Sequence, residues 1–448
     1  MFKISHLANS FISIEGNNTI LTCDPWIGKT NDNAWYSYPL INIHDVEKKI
    51  FKSNYIYISH LHCDHLDFKT LKRFKNKKLT FIIKKFKNGV LKRRLQKVTG
   101  KKIIEIEPFK KKKINEDFSV AIIPQIISNS SNLPDHINYD LDTSIIIQSN
   151  KDKTVFYNNV DTPINLDVLK KINNFVKKEF KNKIDIFCCA LGAASEFPQC
   201  FLNINRNTEK EKIINESLKK INKYLKYLKP NFFFPAGGTY TIYGKFYELN
   251  KYIAQPSFAQ IKAKTSLLKT KIYNLIGGGF IRFQGSKYIV ENKIDKKPNN
   301  FKGQYINKIK KLNYYYHSKK DKNVDLKKLD ENFINAKKNY FKILNNNKKI
   351  KSKWNIKFII YKNYEINKKC IIDKKKSKFL KTYNLKNNYL NIKNNLQLEC
   401  HMEYQLFKSL LNGKFPWNTS LSGSTIMYRR IPNTFNVDML FSLNFLRI

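Results

Sequence analysis

The sequence predicts a layered α+β protein in two folded parts joined by a connecting stretch. Three observations carry that reading. Short β-branched and aromatic runs alternate with stretches of helical spacing, the pattern of stacked sheets and helices. The 448 residues exceed the roughly 100–200 of one domain. Composition turns to Lys, Asn and Asp near residue 285 and turns back near 355. The expected parts are therefore 1–285, a Lys/Asn-rich connection over 286–354, and a small α+β domain over 355–448.

The elements follow in order. Phe11–Glu15 alternates apolar and polar residues, Gly16-Asn17-Asn18 is a turn, and Thr19–Cys23 is a second strand. Asp24-Pro25-Trp26 ends it, because Pro cannot donate to a ladder. Asn54–Ile58 reads as a buried strand, Phe68–Phe74 as a helix, and Leu79–Ile83 and Ser119–Ile123 as further strands. Ser144–Ile147 and Thr154–Tyr157 pair as a hairpin around Asn150-Lys151-Asp152. Cys188-Cys189 sits in an apolar run and reads as core. Glu209–Leu228 has helical spacing and stops before Pro230. Phe232–Gly238 is a strand running into a loop, and Gly277-Gly278-Gly279 is a turn without the spacing of a phosphate cradle.

Lys+Arg is 83 against 35 Asp+Glu, a net charge of +48. Such a balance raises nucleic acid as a partner, but 75 of the positives are Lys and only 8 are Arg. Arg is the residue suited to bidentate phosphate and guanine contacts. Lys, Asn and Ile share AT-rich codons, and the Lys are spread along the chain, so no specific nucleic-acid partner is expected. No window holds the roughly 18 apolar residues of a membrane span, and the first residues lack the apolar core of a signal peptide. The seven Cys include no CxxC pair. A cytoplasmic protein with reduced thiols is the expectation.

The chemistry concentrates in Ile56-Tyr57-Ile58-Ser59-His60-Leu61-His62-Cys63-Asp64-His65-Leu66-Asp67. Three of the eight His fall within six residues, directly after a predicted strand and before a predicted helix. A strand end delivers His60 and His62 into one loop, able to face one cation. Asp64 and His65 come from the following turn and can face a second. Imidazole suits zinc and iron, and a carboxylate adds a hard ligand or a proton acceptor. The pattern H-x-H-x-D-H resembles the signature of the metallo-β-lactamase superfamily, which implies a four-layer αβ/βα fold and one or two divalent metal ions, iron or zinc.

That resemblance carries further residues. An Asp at such a strand end bridges metals in this fold, and Asp161 after Val155–Asn159 fits the place. His136 fits a loop His ligand; it also reads as a turn residue in an Asx-rich run. His6 and Asp24 fall at ends of early strands, and Asp24 fits a partner holding a ligand His more than a ligand. Trp26, Trp35 and Tyr38 either wall a pocket or pack in the core.

A closer likeness is to the metal-binding part of the CMP-N-acetylneuraminate hydroxylase family. It runs through Asp24–Gly28, Trp35–Pro39, Ile56–Leu66, His136 to Ile146, Asn158–Thr162, Gly192–Pro198, Pro235–Gly238, Asn412–Trp417 and Arg429–Pro432. It implies a small acidic or nucleotide-linked sugar as substrate. Members of that family also carry a Rieske cluster, which needs paired Cys-x-His ligands. No such pair set occurs here, so electrons for a hydroxylation would come from a separate protein. The late His that the family places after the Pro-Ala-Gly loop is absent, and Tyr243 is a candidate to stand in its place. The expected ligands are His60, His62, Asp64, His65, His136 and Asp161, with Asp64 also catalytic. The alternatives are a hydrolase of phosphoesters, amides or lactones using metal-bound hydroxide, and a non-catalytic metal-binding protein.

Overall fold

In a computed structural model, residues 1–30, 34–39, 49–86, 89–126, 142–285, 287–292, 299–317, 323–346, 354–386 and 396–448 are described. The chain opens with β1 (Phe2–Ala8), β2 (Phe11–Glu15) and β3 (Ile20–Cys23), then a short β4 (Trp35–Ser37). It continues with β5 (Tyr55–Tyr57), α1 (Phe68–Leu71), β6 (Thr80–Lys84), α2 (Val90–Thr99) and β7 (Lys102–Ile106). The next run is β8 (Lys112–Lys113), β9 (Phe118–Pro124), β10 (Thr143–Ser149), β11 (Val155–Asn158), α3 (Leu166–Phe180), β12 (Ile186–Cys189) and α4 (Arg206–Leu228). Then come β13 (Phe232–Pro235), β14 (Tyr240–Ile242), α5 (Phe258–Lys264), β15 (Lys271–Ile272), β16 (Gly279–Gln284) and β17 (Lys287–Glu291).

Two sheets result. One has the order β17-β16-β1-β2-β3-β5-β6-β7, the other β15-β13-β12-β11-β10-β9-β8. Period-2 alternation sends successive side chains to opposite faces, and residues 56–58 show what that does. Tyr57 joins Phe2, Ile4, Ile14, Phe118, Val120 and Phe156 in the core between the sheets. Ile56 and Ile58 face the other way, onto Leu71 of α1 and Leu91 and Leu95 of α2. On the far side, Ile146 and Tyr157 meet Ile172 and Val176 of α3 and Ile221 of α4. Helix, sheet, sheet and helix make the four layers that were expected. Helix α3 was not anticipated from the sequence, although its buried Val168, Leu169, Ile172, Val176 and Phe180 recur at helical spacing.

The C-terminal part contains α6 (Asn299–Lys310), α7 (Leu326–Asn346), β18 (Asn355–Tyr361), β19 (Phe379–Leu385), β20 (Gln397–Glu403), α8 (Tyr404–Leu411), α9 (Trp417–Ser422), β21 (Met427–Ile431) and α10 (Val437–Ser442). Its sheet runs β19-β18-β20-β21. Two observations differ from the expected division. Residue 285 lies inside the β16–β17 hairpin, so the first sheet extends to Glu291. Helix α7, expected as part of a connection, buries Leu329, Phe333, Ala336 and Tyr340 in the C-terminal core. That core is continuous with Trp26, Trp35, Tyr240, Tyr243 and Phe246 of the first part.

Candidate metal centre

Local sequence places the motif loop. β5 pairs in parallel with β3 and β6, so its C-terminal end opens at one edge of the sandwich. His65 and Leu66 donate their amides to the His62 carbonyl at 3.0 and 2.8 Å, closing a turn. Asp67 then caps α1, accepting from the amides of Lys69 (3.3 Å) and Thr70 (3.2 Å) and from the Thr70 hydroxyl (2.6 Å). The loop is thus pinned between a strand and a capped helix.

Two groups of donors form there. His60, His62 and Asp142 make one, and Asp64, His65 and Asp161 the other, each with its ligand atoms within 4.8 Å of one another. The rings of His60 and His65 are 4.2 Å apart, so the groups adjoin. Asp142 stands just before β10 and Asp161 just after β11, and the antiparallel pairing of those strands (Ile145↔Asn158) brings both to the motif loop.

The spacing within each group tests whether an ion fits. Ligand atoms on one zinc or iron at bonds of about 2.1 Å lie about 3.0–3.4 Å from each other. Here His60 Nε2 is 2.7 Å from His62 Nδ1 and 3.3 Å from Asp142 Oδ1. His65 Nε2 is 3.1 Å from Asp161 Oδ2 and 3.5 Å from Asp64 Oδ2. Among the described residues the buried Asp161 Oδ1 atom has no hydrogen-bond partner, an arrangement a cation would satisfy. With His60 and His62 spread by a few tenths of an ångström, the residues present fit a two-ion site.

The surrounding hydrogen bonds set which ring nitrogens face inward. Asp24, fully buried and with φ 41°, accepts from the Ser59 amide (2.8 Å) and hydroxyl (2.7 Å). It also accepts from His65 Nδ1 at 2.9 Å. With its proton given to Asp24, the Ser59 hydroxyl accepts from His60 Nδ1 at 2.9 Å. Both histidines therefore turn Nε2 toward the carboxylates. Burial pushes His60 well below its ordinary pKa, helped by His65 and His62. Burial also pushes His65 down, but Asp64, Asp161 and Asp24 outweigh it and hold that ring well above its ordinary value.

Three features escaped the sequence. Asp142 was read only as part of an Asx-rich run, yet it completes the first group. Ser59 joins Asp24 to His60. Asn9, buried in the β1–β2 turn with φ 41°, donates from Nδ2 to Asp64 Oδ2 at 3.2 Å. Its carbonyl accepts from Gly237 N (2.9 Å) and its Oδ1 from Thr239 N (3.1 Å), tying the loop after β13 to the centre. Asn, a residue that tolerates positive φ, between two apolar runs was the available signal.

The remaining expected residues fall as follows. His136 lies outside the described residues. His6 is fully buried, its Nε2 is 2.7 Å from the Asn9 carbonyl, and burial pulls it down to about 4 against that hydrogen bond. It supports Asn9 rather than joining either group. Trp26 is fully buried in core, and among the described residues its indole nitrogen has no partner. Tyr243 is likewise fully buried, packing against Tyr314 at 5.3 Å and Tyr36 at 6.4 Å. Trp35 stacks on Tyr240 at 3.9 Å, and Tyr38 lines a separate cavity with Gly237 and Thr239. Arg430 is buried against Phe201 and Asn433, a packing role rather than an open anion grip.

Four layers with a His/Asp centre built from strand ends at one sandwich edge decide the architecture. The fold is the metallo-β-lactamase fold. No family model matches the chain. A protein named "Putative Rieske 2Fe-2S iron-sulfur protein" from Mycolicibacterium smegmatis is 26% identical over 170 residues, 37% of this chain and 31% of that protein. Proteins of like name from two strains of Mycobacterium tuberculosis are 27% identical over 170 residues. The chain spans about a third of the length of these curated relatives. Among solved structures, Igni18, a metallo hydrolase from Ignicoccus hospitalis, has 16% identity and a TM-score of 0.42, covering 63% of this chain and 99% of its own. CmlA, a diiron β-hydroxylase from Streptomyces venezuelae, has 12% identity and a TM-score of 0.43, covering 63% and 54%. Scores of this size carry no argument about activity. Among the described residues no helix is long and apolar enough to cross a membrane.

Proposed function

We propose that this chain is a metal-dependent enzyme of the metallo-β-lactamase fold that hydroxylates an acidic small molecule, with electrons supplied by a separate protein. One observation carries the metal dependence: two adjoining groups that together offer three imidazole nitrogens and three carboxylates. His60, His62 and Asp142 would hold one ion, and Asp64, His65 and Asp161 the other. The set accepts iron or zinc. Bound there, the ions supply Lewis acidity and, for iron, a redox centre.

The chain's own residues do the positioning. Asp24 and Ser59 hold the His60 and His65 rings, and Asn9 orients the Asp64 carboxylate. The motif and strand-end matches to CMP-N-acetylneuraminate hydroxylases support the hydroxylase reading, and that resemblance implies an acidic or nucleotide-linked sugar. The mycobacterial relatives are named for a [2Fe–2S] cluster, an electron carrier, which supports a partner of that chemistry.

Hydrolysis is the second reading. With Oδ2 held by Asn9, Asp64 keeps Oδ1 to accept a proton from an attacking water. Elemental analysis of protein purified anaerobically without added metal separates the two, with a His60→Ala/His62→Ala variant beside it. Iron lost in the variant supports the hydroxylase. Zinc lost in the variant favours hydrolysis. No metal in either protein sinks both.

A further inference from the structure

A cavity beside the centre begins at His62 and Cys63 and runs between the first part and the C-terminal part, with a volume of about 770 Å³. From it we infer the substrate class: an anionic headgroup, carboxylate or phosphate, on an apolar body. This rests on the metal-dependent reading above and departs from the sugar that the hydroxylase resemblance implies. One wall comes from the motif loop and α1, with Leu61, Leu66 and Phe68, and from Arg94 of α2. The other comes from the C-terminal part, with Phe415, Trp417, Phe445, Lys414 and Arg447. The C-terminal part thus forms half of the cleft that leads to the metal loop.

Charge decides the headgroup. Among the described residues no Asp or Glu lines the cavity, whereas Arg94, Lys414 and Arg447 do. Lysine means little in a chain with 75 of them, but the chain has only 8 Arg and two line this one cavity. Arg is the side chain that binds carboxylate and phosphate through two parallel hydrogen bonds. All three cations are exposed, and among the described residues none is in an ion pair.

The remaining walls decide the body. A sugar or a base edge needs free acceptors and amides to take its hydroxyls and ring nitrogens. The polar residues here are engaged already. Asn444 accepts from the Asn418 amide (3.3 Å) and donates to the Phe441 carbonyl (3.2 Å), and the Thr419 hydroxyl bonds to the Pro416 carbonyl (3.4 Å). The exposed lining is divided about evenly between polar and apolar atoms, and its half-buried Leu61, Phe68, Phe415 and Phe445 give an acyl or alkyl chain a seat beside the cations.

Calorimetric titration of the full chain with octyl phosphate, octanoate, 1-octanol, N-acetylneuraminate and CMP tests this. Binding of either octyl anion, without binding of octanol, N-acetylneuraminate or CMP, is the expected result; which octyl anion binds tighter identifies the headgroup. Arg94→Gln and Arg447→Gln should each weaken it by about tenfold, with the metal content of both variants unchanged. Tighter binding of CMP or N-acetylneuraminate, equal binding of octanol, or unaltered affinity in both arginine variants overturns the inference. The His60→Ala/His62→Ala variant separates the two readings. Wild-type protein that carries no metal yet shows arginine-dependent octyl binding upholds the cleft while the metal reading falls. Wild-type metal that is lost in the His60→Ala/His62→Ala variant, with no octyl binding by the wild type, does the reverse.

Discussion

At the scale of single residues, the proposed centre depends on atoms outside its two donor groups. Gly237 is the sharpest case. Its φ of 97° is one that side chains rarely adopt, and a Cβ there would lie 2.6 Å from Asp161 Oδ1. Gly237→Ala should therefore displace Asp161 and lower metal content, while far-ultraviolet circular dichroism stays that of the wild type. Retention of full metal would show that Asp161 is not a ligand. Asp24 offers a subtler test. Asp24→Asn keeps the volume but removes the negative charge that both orients His65 and holds its ring basic. Partners of ligand histidines typically govern metal affinity by about 10–100-fold. A loss of that size, read by competition with a chelator, is expected for Asp24→Asn, and an unchanged affinity would leave Asp24 a packing residue.

At the scale of elements, what was legible is what the chain keeps local. His60, His62, Asp64 and His65 share one loop, so six residues of sequence show them together. Asp161 was legible as a strand terminus, and the 144–157 hairpin follows from alternation around a polar turn. Asp142 was not, because an Asx-rich run offers several carboxylates and only the β9–β10 register, with Thr143 opposite Pro124, decides which one reaches the centre. Asn9 lies 55 residues from Asp64, a contact that no local pattern announces. The short α1 carries its own prediction. Its Asp67 cap makes three hydrogen bonds, and loss of a cap costs about 1–2 kcal/mol. Asp67→Ala should reduce unfolding free energy by that amount in urea, and Asp67→Asn should recover most of it. Equal stability of the Ala variant would mean that packing of Leu71 alone holds the loop.

At the scale of the whole molecule, the two parts share one core, and acid is the way to probe their junction. Glu403 at the end of β20 is 1% exposed and meets His317 at 2.6 Å and Lys245 from the first part. Burial alone would raise its pKa; His317 and Lys245 outweigh burial and hold it below the usual carboxylate range. Its contribution is therefore complete above the unfolded value of about 4.3 and is lost as pH falls through the lower folded value. His401, two residues earlier, behaves differently. Burial, then Arg429 and Lys357, lowers it to about 4. Below pH about 6.5 the unfolded chain takes up the proton first, so stability drains between about 6.5 and 4, by up to about 3 kcal/mol. His6, also lowered to about 4, adds a second share in the same window. Urea unfolding at intervals from pH 7.5 to 3.5 should thus show two descents. His401→Gln should shallow the upper one and leave the lower, and Glu403→Gln should do the opposite. A single descent unaltered by both variants would mean that the junction titrates through other groups. The order of the descents places acid sensitivity first at buried neutral histidines and only afterwards at the ion cluster linking the two parts.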